Sequence, residues 1–180
     1  MADVSVRPAR PEDAAEIGRL QVLTWRTAYA TVLPPAVLET LSDDDAAAAW
    51  RAAITAPPTP RHHVLVALEQ EWVVGFAALG PADDLEDADP EPETTVALAP
   101  ILVEPRWGRR GHGSRLLAAA VDHARADGMT RGVAWIPEAD VPSREFLLSA
   151  GWAPDGLARA LDTGAGEVRE IRLHVLLGEG

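Results

Sequence analysis

The sequence predicts a mixed α/β fold built around one β-sheet. Segments with the period-two pattern of strands alternate with longer segments whose apolar residues recur at helical spacing. In chain order they run strand, helices, three strands, helix, strand, helix and two strands, which favours helices packed on a single sheet. The chain has 180 residues, 47% of them hydrophobic, and we expect one globular domain over residues 1–180.

The N-terminal third is predicted to hold one strand and three helical segments. Proline and acidic residues suit the first turn of a helix, and Ser42 is an N-cap in front of three aspartates. The predicted segments are a strand over 4–7, a helix from 11, a short amphipathic piece that begins after two prolines and ends near 41, and a helix from 42 that ends before 57.

The middle of the chain is predicted to contribute three strands. Residues 63–68 and 72–79 alternate like the two arms of a hairpin. Between them and the next strand, residues 81–93 form a loop in which seven of thirteen residues are acidic, and we expect it to be mobile. The third strand covers 94–103, where Pro100 must lie at a bulge or an unpaired edge.

The C-terminal third predicts two helices and three strands. Gly128 and Gly151 follow apolar helical stretches and are expected to terminate them. The predicted segments are a helix from about 113 to 127, a strand over 132–136, a helix over 142–150, and strands over 157–161 and 169–176 that flank a turn at 162–166.

Charge and composition exclude several classes of function. A net charge of −12 argues against a nucleic-acid partner, which needs clustered cations. A solvated acidic surface is the first interpretation of this charge, and it is also compatible with a cationic small substrate. The absence of cysteine excludes a disulfide framework, and no histidine has a partner at metal-ligand spacing, so we expect no metal. No apolar run approaches the ~18 residues of a membrane span, and the first residues lack a signal-peptide core, so a cytoplasmic protein with no membrane partner is expected.

A basic loop with two glycines follows the strand that ends at Val103. It covers residues 108–114, and a helix begins inside it. A helix N-terminus carries free N–H groups and partial positive charge, which favour anions. Arg109 and Arg110 add full charges that suit phosphate. The sequence therefore predicts a phosphorylated ligand at residues 109–114.

Other phosphate-binding motifs fit this loop less well. A P-loop needs Gly-Lys-Ser/Thr, whereas the chain has Gly113-Ser114-Arg115. A dinucleotide fingerprint needs a third glycine at position 116, which is Leu116. For the Gly-x-Gly alone, an ordinary strand-to-helix turn with solvated arginines is the alternative.

The wider context resembles the acetyl-CoA signature of the GNAT N-acetyltransferase superfamily. That signature is a strand ending in Val-x-Pro, then Gln/Arg-x-x-Gly-x-Gly/Ala, then an apolar helix. Here Val103-Glu104-Pro105 precedes Gly108-Arg109-Arg110-Gly111-His112-Gly113, with glycine at the first signature position. The segments 6–13, 25–34 and 146–152 also resemble family segments, so the resemblance covers nearly the whole chain.

The resemblance implies a sheet of six to seven strands flanked by about four helices, with splayed central strands. It also implies transfer of an acetyl group from acetyl-CoA to a primary amine of a small molecule or peptide, by direct attack in a ternary complex. In that family the strand backbone pairs with the pantetheine arm and the loop holds the pyrophosphate. The implied cofactor-binding residues are Ile101, Leu102, Val103, Arg109, Arg110, Gly111, His112, Gly113 and Ser114.

The catalytic residues do not carry over from the family directly. The position where the family often has a tyrosine acid is Leu147, and the strand segment 96–99 lacks the frequent glutamate base. Glu138 follows the strand expected to splay, and it is the predicted general base ahead of Glu104 and Asp140. Glu104 is expected to face solvent, and Asp140 to serve mainly as a helix cap.

Three aromatic residues are predicted to line an acceptor pocket, with burial in the core as the alternative: Trp25, Tyr29 and Trp135. Because both usual catalytic groups are missing, a second function stays open. The fold would then hold CoA or an acyl-CoA as a catalytically weak binding module or sensor. The resemblance and the apolar last strand make a homodimer an expectation.

Overall fold

The computed structural model describes residues 3–178 and shows one open mixed sheet with helices on both faces. The strands are β1 (Val4–Pro8), β2 (His63–Glu69), β3 (Trp72–Pro81), β4 (Thr95–Leu98), β5 (Leu102–Val103), β6 (Arg131–Pro137), β7 (Ala153–Asp162) and β8 (Glu167–Leu176). The helices are α1 (Ala14–Ala28), α2 (Pro35–Glu39), α3 (Asp43–Thr55), α4 (His112–Ala126) and α5 (Val141–Ser149). The predicted fold class is confirmed. The predicted domain span includes residues 1–2 and 179–180, which lie outside the described residues.

The sheet splits in its middle. Its order is β1-β2-β3-β4-β6-β8-β7, with β5 paired to β3. Strands β4 and β6 run parallel and pair only over Thr95–Ala97 and Arg131–Val133. Pro100 lies in the break between β4 and β5, as the missing N–H of proline requires. Beyond the break β5 pairs with β3, so the chain diverges from β6 and the predicted splay is confirmed.

The two faces of the sheet carry different helices. Helices α4 and α5 cover one face, where Leu116 and Leu147 join the larger apolar core. Helices α1 and α3 cover the other, where Ile17 and Leu20 pack against side chains of β2 and β3. Successive strand residues point to opposite faces, so in β6 Ile136 belongs to the α4–α5 side.

Two local interactions fix the helices on the α1–α3 side. Ser42 Oγ accepts a hydrogen bond from the Asp45 N–H at 3.3 Å, which confirms the predicted N-cap of α3. Helices α1 and α3 touch at Gly18, where an added Cβ would lie 2.6 Å from the Ala47 backbone nitrogen. Only glycine permits that approach without displacing one helix.

The acidic loop is held by buried ion pairs, contrary to the expectation that it is mobile. Asp89 accepts hydrogen bonds from Arg172, which is 2% exposed, and lies 3.3 Å from Arg131. Arg172 and Arg131 also pair with Asp155 at 2.6 and 3.4 Å. The sequence signal failed because high acidity predicts a solvated loop unless its cationic partners are known.

Among the helices of residues 3–178, none combines the length and the hydrophobicity that a membrane span requires.

Candidate active site

A cleft of about 420 Å³ opens where the sheet splits. Strand β5, the basic loop, the start of α4 and the first turns of α5 surround it. The lining residues are Ile101, Val103, Trp107, Gly108, Arg109, Gly111, His112, Gly113, Ser114, Pro142, Ser143 and Phe146. Seven of the nine predicted cofactor-binding residues are in this set. The exceptions are Leu102, which is buried in the α1–α3 core, and Arg110.

The basic loop turns so that backbone N–H groups collect at one end of the cleft. Arg109 has φ +61° and Gly111 has φ +81°, and α4 begins at His112. The N–H groups of Gly108 and Arg115 are used, since they donate to Pro105 O and Gly111 O. The amides of the first turn of α4, between them, have no acceptor within the helix. This is the arrangement that binds an anion.

The edge of β5 presents backbone groups to the cleft. The Glu104 N–H donates to Val74 O of β3 at 2.9 Å. Successive N–H groups in a strand point to opposite sides, so the Val103 N–H points away from β3 and towards the split. Because β6 does not pair with β5 in the described residues, this edge is available to an extended ligand.

The two arginines of the loop differ in their environment. Arg109 is exposed and lines the cleft. Arg110 instead donates to Glu69 Oε1 at 2.8 Å, and its guanidinium lies 5.0 Å from the centre of the Trp107 ring. His112 is buried, and its Nε2 lies 2.9 Å from the other oxygen of Glu69.

A second cavity, of about 370 Å³, lies where Val133 and Trp135 point to the opposite face of the sheet from α4 and α5. A narrow gap of about 20 Å³ shares Leu98, Ala99 and Pro100 with this cavity and shares Ser143 with the cleft. The cleft and the second cavity therefore approach each other at the break in the strand at Pro100.

Trp135 forms a wall of this second cavity. The Arg159 guanidinium covers its ring at 4.1 Å and pairs with Asp84 and Glu170, each at 2.6 Å. Asp83 also lines the cavity. One arginine thus stands among three carboxylates, which leaves the lining acidic.

Tyr29 and Asp140 place two buried polar atoms near Ser143, at the start of α5. Asp140 Oδ1 caps α5 by accepting from the Ser143 N–H at 3.2 Å. Asp140 Oδ2 and the Tyr29 hydroxyl are buried, and neither has a hydrogen-bond partner in residues 3–178. Burial, followed by the charge of Asp140, raises the pKa of Tyr29 well above its ordinary value. The phenol therefore stays protonated at neutral pH. Trp25 stacks on Tyr29 with ring centres 6.3 Å apart.

The sequence model of the Acetyltransferase (GNAT) family matches residues 21–152. The chain belongs to the GNAT acetyltransferase family. It is 30% identical to the uncharacterized N-acetyltransferase YuaI from Bacillus subtilis (strain 168), over 86% of this chain and 82% of YuaI. GNAT enzymes use acetyl-CoA as the acetyl donor.

Solved structures with the GNAT fold resemble the whole chain. An N-acetyltransferase from Staphylococcus aureus Mu50 superposes with a TM-score of 0.76 at 18% identity, covering 98% of this chain and 100% of that one. The protein yncA from Salmonella typhimurium, solved with its cofactor acetyl-CoA, gives 0.72 at 21% identity, covering 99% and 96%. These likenesses establish the GNAT fold of the chain.

The residues considered as catalytic groups from the comparison with the GNAT family differ in their burial and in their ion-pair partners. Leu147 is buried in the core and has no proton to give. Glu104, expected to face solvent, is instead buried and paired with Arg106 at 2.6 Å. Glu138 is half exposed and pairs with Arg169 at 3.3 Å, and it is absent from the cleft lining. Its catalytic role stays a prediction.

Two charged residues of this GNAT site had no signal in the sequence. Glu69 contacts a residue 43 positions away, and Arg159 contacts Asp84 across 75 positions, so no local pattern connects them. Only the folded arrangement of strands reveals them. In residues 3–178 the structure contains no cluster of three or more His, Cys, Asp or Glu side chains suited to a metal ion.

Proposed function

We propose that this GNAT protein transfers an acetyl group from acetyl-CoA to a primary amine of a small molecule or peptide, by direct attack in a ternary complex. The observation that carries the proposal is the split between β5 and β6, where the loop-lined cleft and the second cavity, which we call the acceptor-side cavity, adjoin the same narrow gap. Donor and acceptor can then meet in one opening from opposite faces of the sheet.

The cleft fits the donor in shape and charge. The free amides at the start of α4 suit a pyrophosphate, and Gly111 and Gly113 let it approach the backbone closely. Arg109 lines the cleft and offers its charge. An extended pantetheine arm suits the edge of β5, where it would accept a hydrogen bond from the Val103 N–H. That N–H would also polarise a thioester carbonyl placed there.

The acceptor-side cavity suits an amine. Its acidic lining attracts ammonium groups, and Trp135 supplies an aromatic wall. Of the three predicted acceptor-lining residues, Trp135 supports the proposal by its position. Tyr29 and Trp25 line neither the cleft nor the gap and belong to the α1–α3 core, so Tyr29 contributes only through its hydroxyl, which lies near Asp140 and Ser143.

Asp140 is the best-placed general base in our proposal. The amine nitrogen must lose a proton as it bonds to the acetyl carbon and the carbon–sulfur bond breaks. Like Glu138, Asp140 lines neither the cleft nor the gap, but Oδ2 has no hydrogen-bond partner in residues 3–178, and Oδ1 accepts from the N–H of Ser143, which lines both openings. Tyr29 stays protonated and supplies a hydrogen-bond donor next to this carboxylate. The departing thiolate takes its proton from water.

Two measurements test the proposal. Isothermal titration calorimetry with acetyl-CoA should show one site per chain, and charge reversal of both Arg109 and Arg110 to Glu should weaken it strongly. An acceptor screen over mono- and polyamines and peptides should release free CoA thiol with at least one amine. Unchanged affinity in the double variant would contradict the loop assignment.

The same screen separates transfer from the second candidate function. The buried Leu147, where the family often has tyrosine, favours a CoA-binding module that transfers poorly. Such a module binds acetyl-CoA with thermal stabilisation but releases no thiol with any amine. A cytoplasmic location and a homodimer stay predictions, the latter testable by light scattering.

A further inference from the structure

Glu69 is a buried carboxylate with two cationic or proton-donating partners on the loop. It ends β2, far in sequence from the loop, and its side chain is 11% exposed. Oε1 accepts from Arg110 at 2.8 Å and Oε2 lies 2.9 Å from His112 Nε2. A carboxylate so buried needs such partners, because desolvation disfavours its charge.

These contacts lie on both sides of the loop's left-handed turn. Arg110 precedes Gly111 and His112 follows it, so Glu69 ties the two flanks of the φ +81° residue to one point. Arg109, with φ +61°, adds a conformation that costs free energy for a non-glycine residue. Contacts from a residue outside the loop, such as those of Glu69, keep such a turn in a single conformation.

The contact with Glu69 also orients His112, the first residue of α4. His112 is 2% exposed, and its Nδ1 has no partner in the described residues, so Nε2 alone anchors the ring by hydrogen bonding. The Arg110 guanidinium in turn lies on Trp107, which lines the cleft. Glu69 therefore reaches the cleft through two residues without lining it.

We propose that Glu69 is a positioning residue that holds the phosphate-binding loop in the conformation that accepts the donor. The inference rests on the proposed use of this loop for acetyl-CoA. Arg110 then acts through Glu69 and Trp107, whereas Arg109 is the arginine that meets the ligand. Glu69 does not act by repelling phosphate, because its charge is paired with Arg110.

The test compares Glu69→Gln with Glu71→Gln, an exposed glutamate on the same hairpin. For Glu69→Gln we expect the acetyl-CoA Kd and KM to rise about tenfold, the equivalent of a lost hydrogen bond to a charged group. The acceptor KM, and kcat at saturating acetyl-CoA, should stay within about twofold of wild type. Glu71→Gln should match wild type throughout. An unchanged or lowered Kd in Glu69→Gln overturns the inference.

A second set of variants keeps the test decisive if Glu69→Gln folds poorly. Arg110→Met removes the exposed partner and should also raise the Kd, and adding Glu69→Gln to it should raise the Kd by less than the product of the single effects. When Arg109→Met is combined with Glu69→Gln, the increases in the acetyl-CoA Kd from the two single variants should multiply. Multiplicative effects in both pairs would overturn the inference. If wild type itself fails to bind acetyl-CoA, the proposed function fails instead.

Discussion

The Asp89 carboxylate and the Arg172 guanidinium meet beneath the acidic loop, with Asp89 Oδ2 2.7 Å from Arg172 Nη1. The two residues are 83 positions apart, and both side chains are almost completely buried. Arg131 and Asp155 complete the group. The loop that borders the acceptor-side cavity is thereby fixed to strands β6 and β8.

Replacing Asp89 with Asn should destabilise the protein in a pH-dependent way. Hydrogen bonding to Arg172 lowers the pKa of Asp89 from 3.8 to about 2. A carboxyl whose folded pKa lies below its unfolded value stabilises fully above the unfolded pKa and loses that effect as the pH falls towards the folded one. We expect a loss of about 2 kcal/mol at pH 7, which shrinks between pH ~4 and ~2.

Urea unfolding of both proteins at several pH values measures this difference. Asp87→Asn, on the exposed part of the same loop, is the matched control and should leave the free energy of unfolding unchanged. A deficit in Asp89→Asn that persists undiminished at pH 2 would contradict the role of the ion pair.

Replacing Asp140 with Asn should separate catalysis from folding. Asn is as good an N-cap as Asp, so α5 and the thermal stability should be preserved. Losing a general base should lower kcat/KM by roughly 10²–10⁴ while leaving the acetyl-CoA Kd unchanged. Tyr29→Phe should give a smaller fall. If Glu138→Gln shows the large loss and Asp140→Asn does not, Glu138 is the base.

Replacing Arg159 with Met should sharpen the preference for cationic acceptors. The change leaves Asp84 and Glu170 without their shared cation. We expect the KM of a diamine to fall about threefold relative to that of a monoamine, which corresponds to less than roughly 1 kcal/mol for a partly exposed pair. Arg51→Met, an exposed change on α3, is the control. Equal KM changes for both amines would refute the electrostatic role of the cavity.

Replacing Gly18 with Ala should push α1 and α3 apart. Intrinsic helix propensity alone predicts a gain of ~1 kcal/mol from this change. The 2.6 Å contact with the Ala47 nitrogen predicts a loss instead, of about 1–3 kcal/mol, because neither backbone can give way cheaply. Thermal unfolding distinguishes the two signs directly.

Local signals predicted the elements of this fold well, because their causes are local. The Ser42 cap, the interruption at Pro100 and the terminator Gly128, with φ +78°, each act on adjacent backbone. The splay of the central strands was predicted from the family resemblance, and the pairing of β4 with β6 ends at Ala97, just before Pro100.

The charged interactions of the site were harder to predict because their partners are distant in sequence. Arginine is a residue type that often binds phosphate, so the sequence predicts this role for Arg110. Only the folded hairpin shows that Glu69 is its partner. Glu104 precedes a proline and reads as exposed, whereas Arg19 and Arg106 enclose it. The sequence thus located the loop, but it did not identify which of its side chains are already engaged.

The short parallel pairing at Thr95–Ala97 has a mechanical consequence. It is the one ladder that joins the β1–β4 half of the described sheet to the β6–β8 half. Two halves of a sheet that are joined by so short a pairing can rotate relative to each other about it. A molecule bound beside this pairing would restrict that rotation. Amide hydrogen exchange in the β4–β6 pairing should therefore slow when a ligand occupies the cleft.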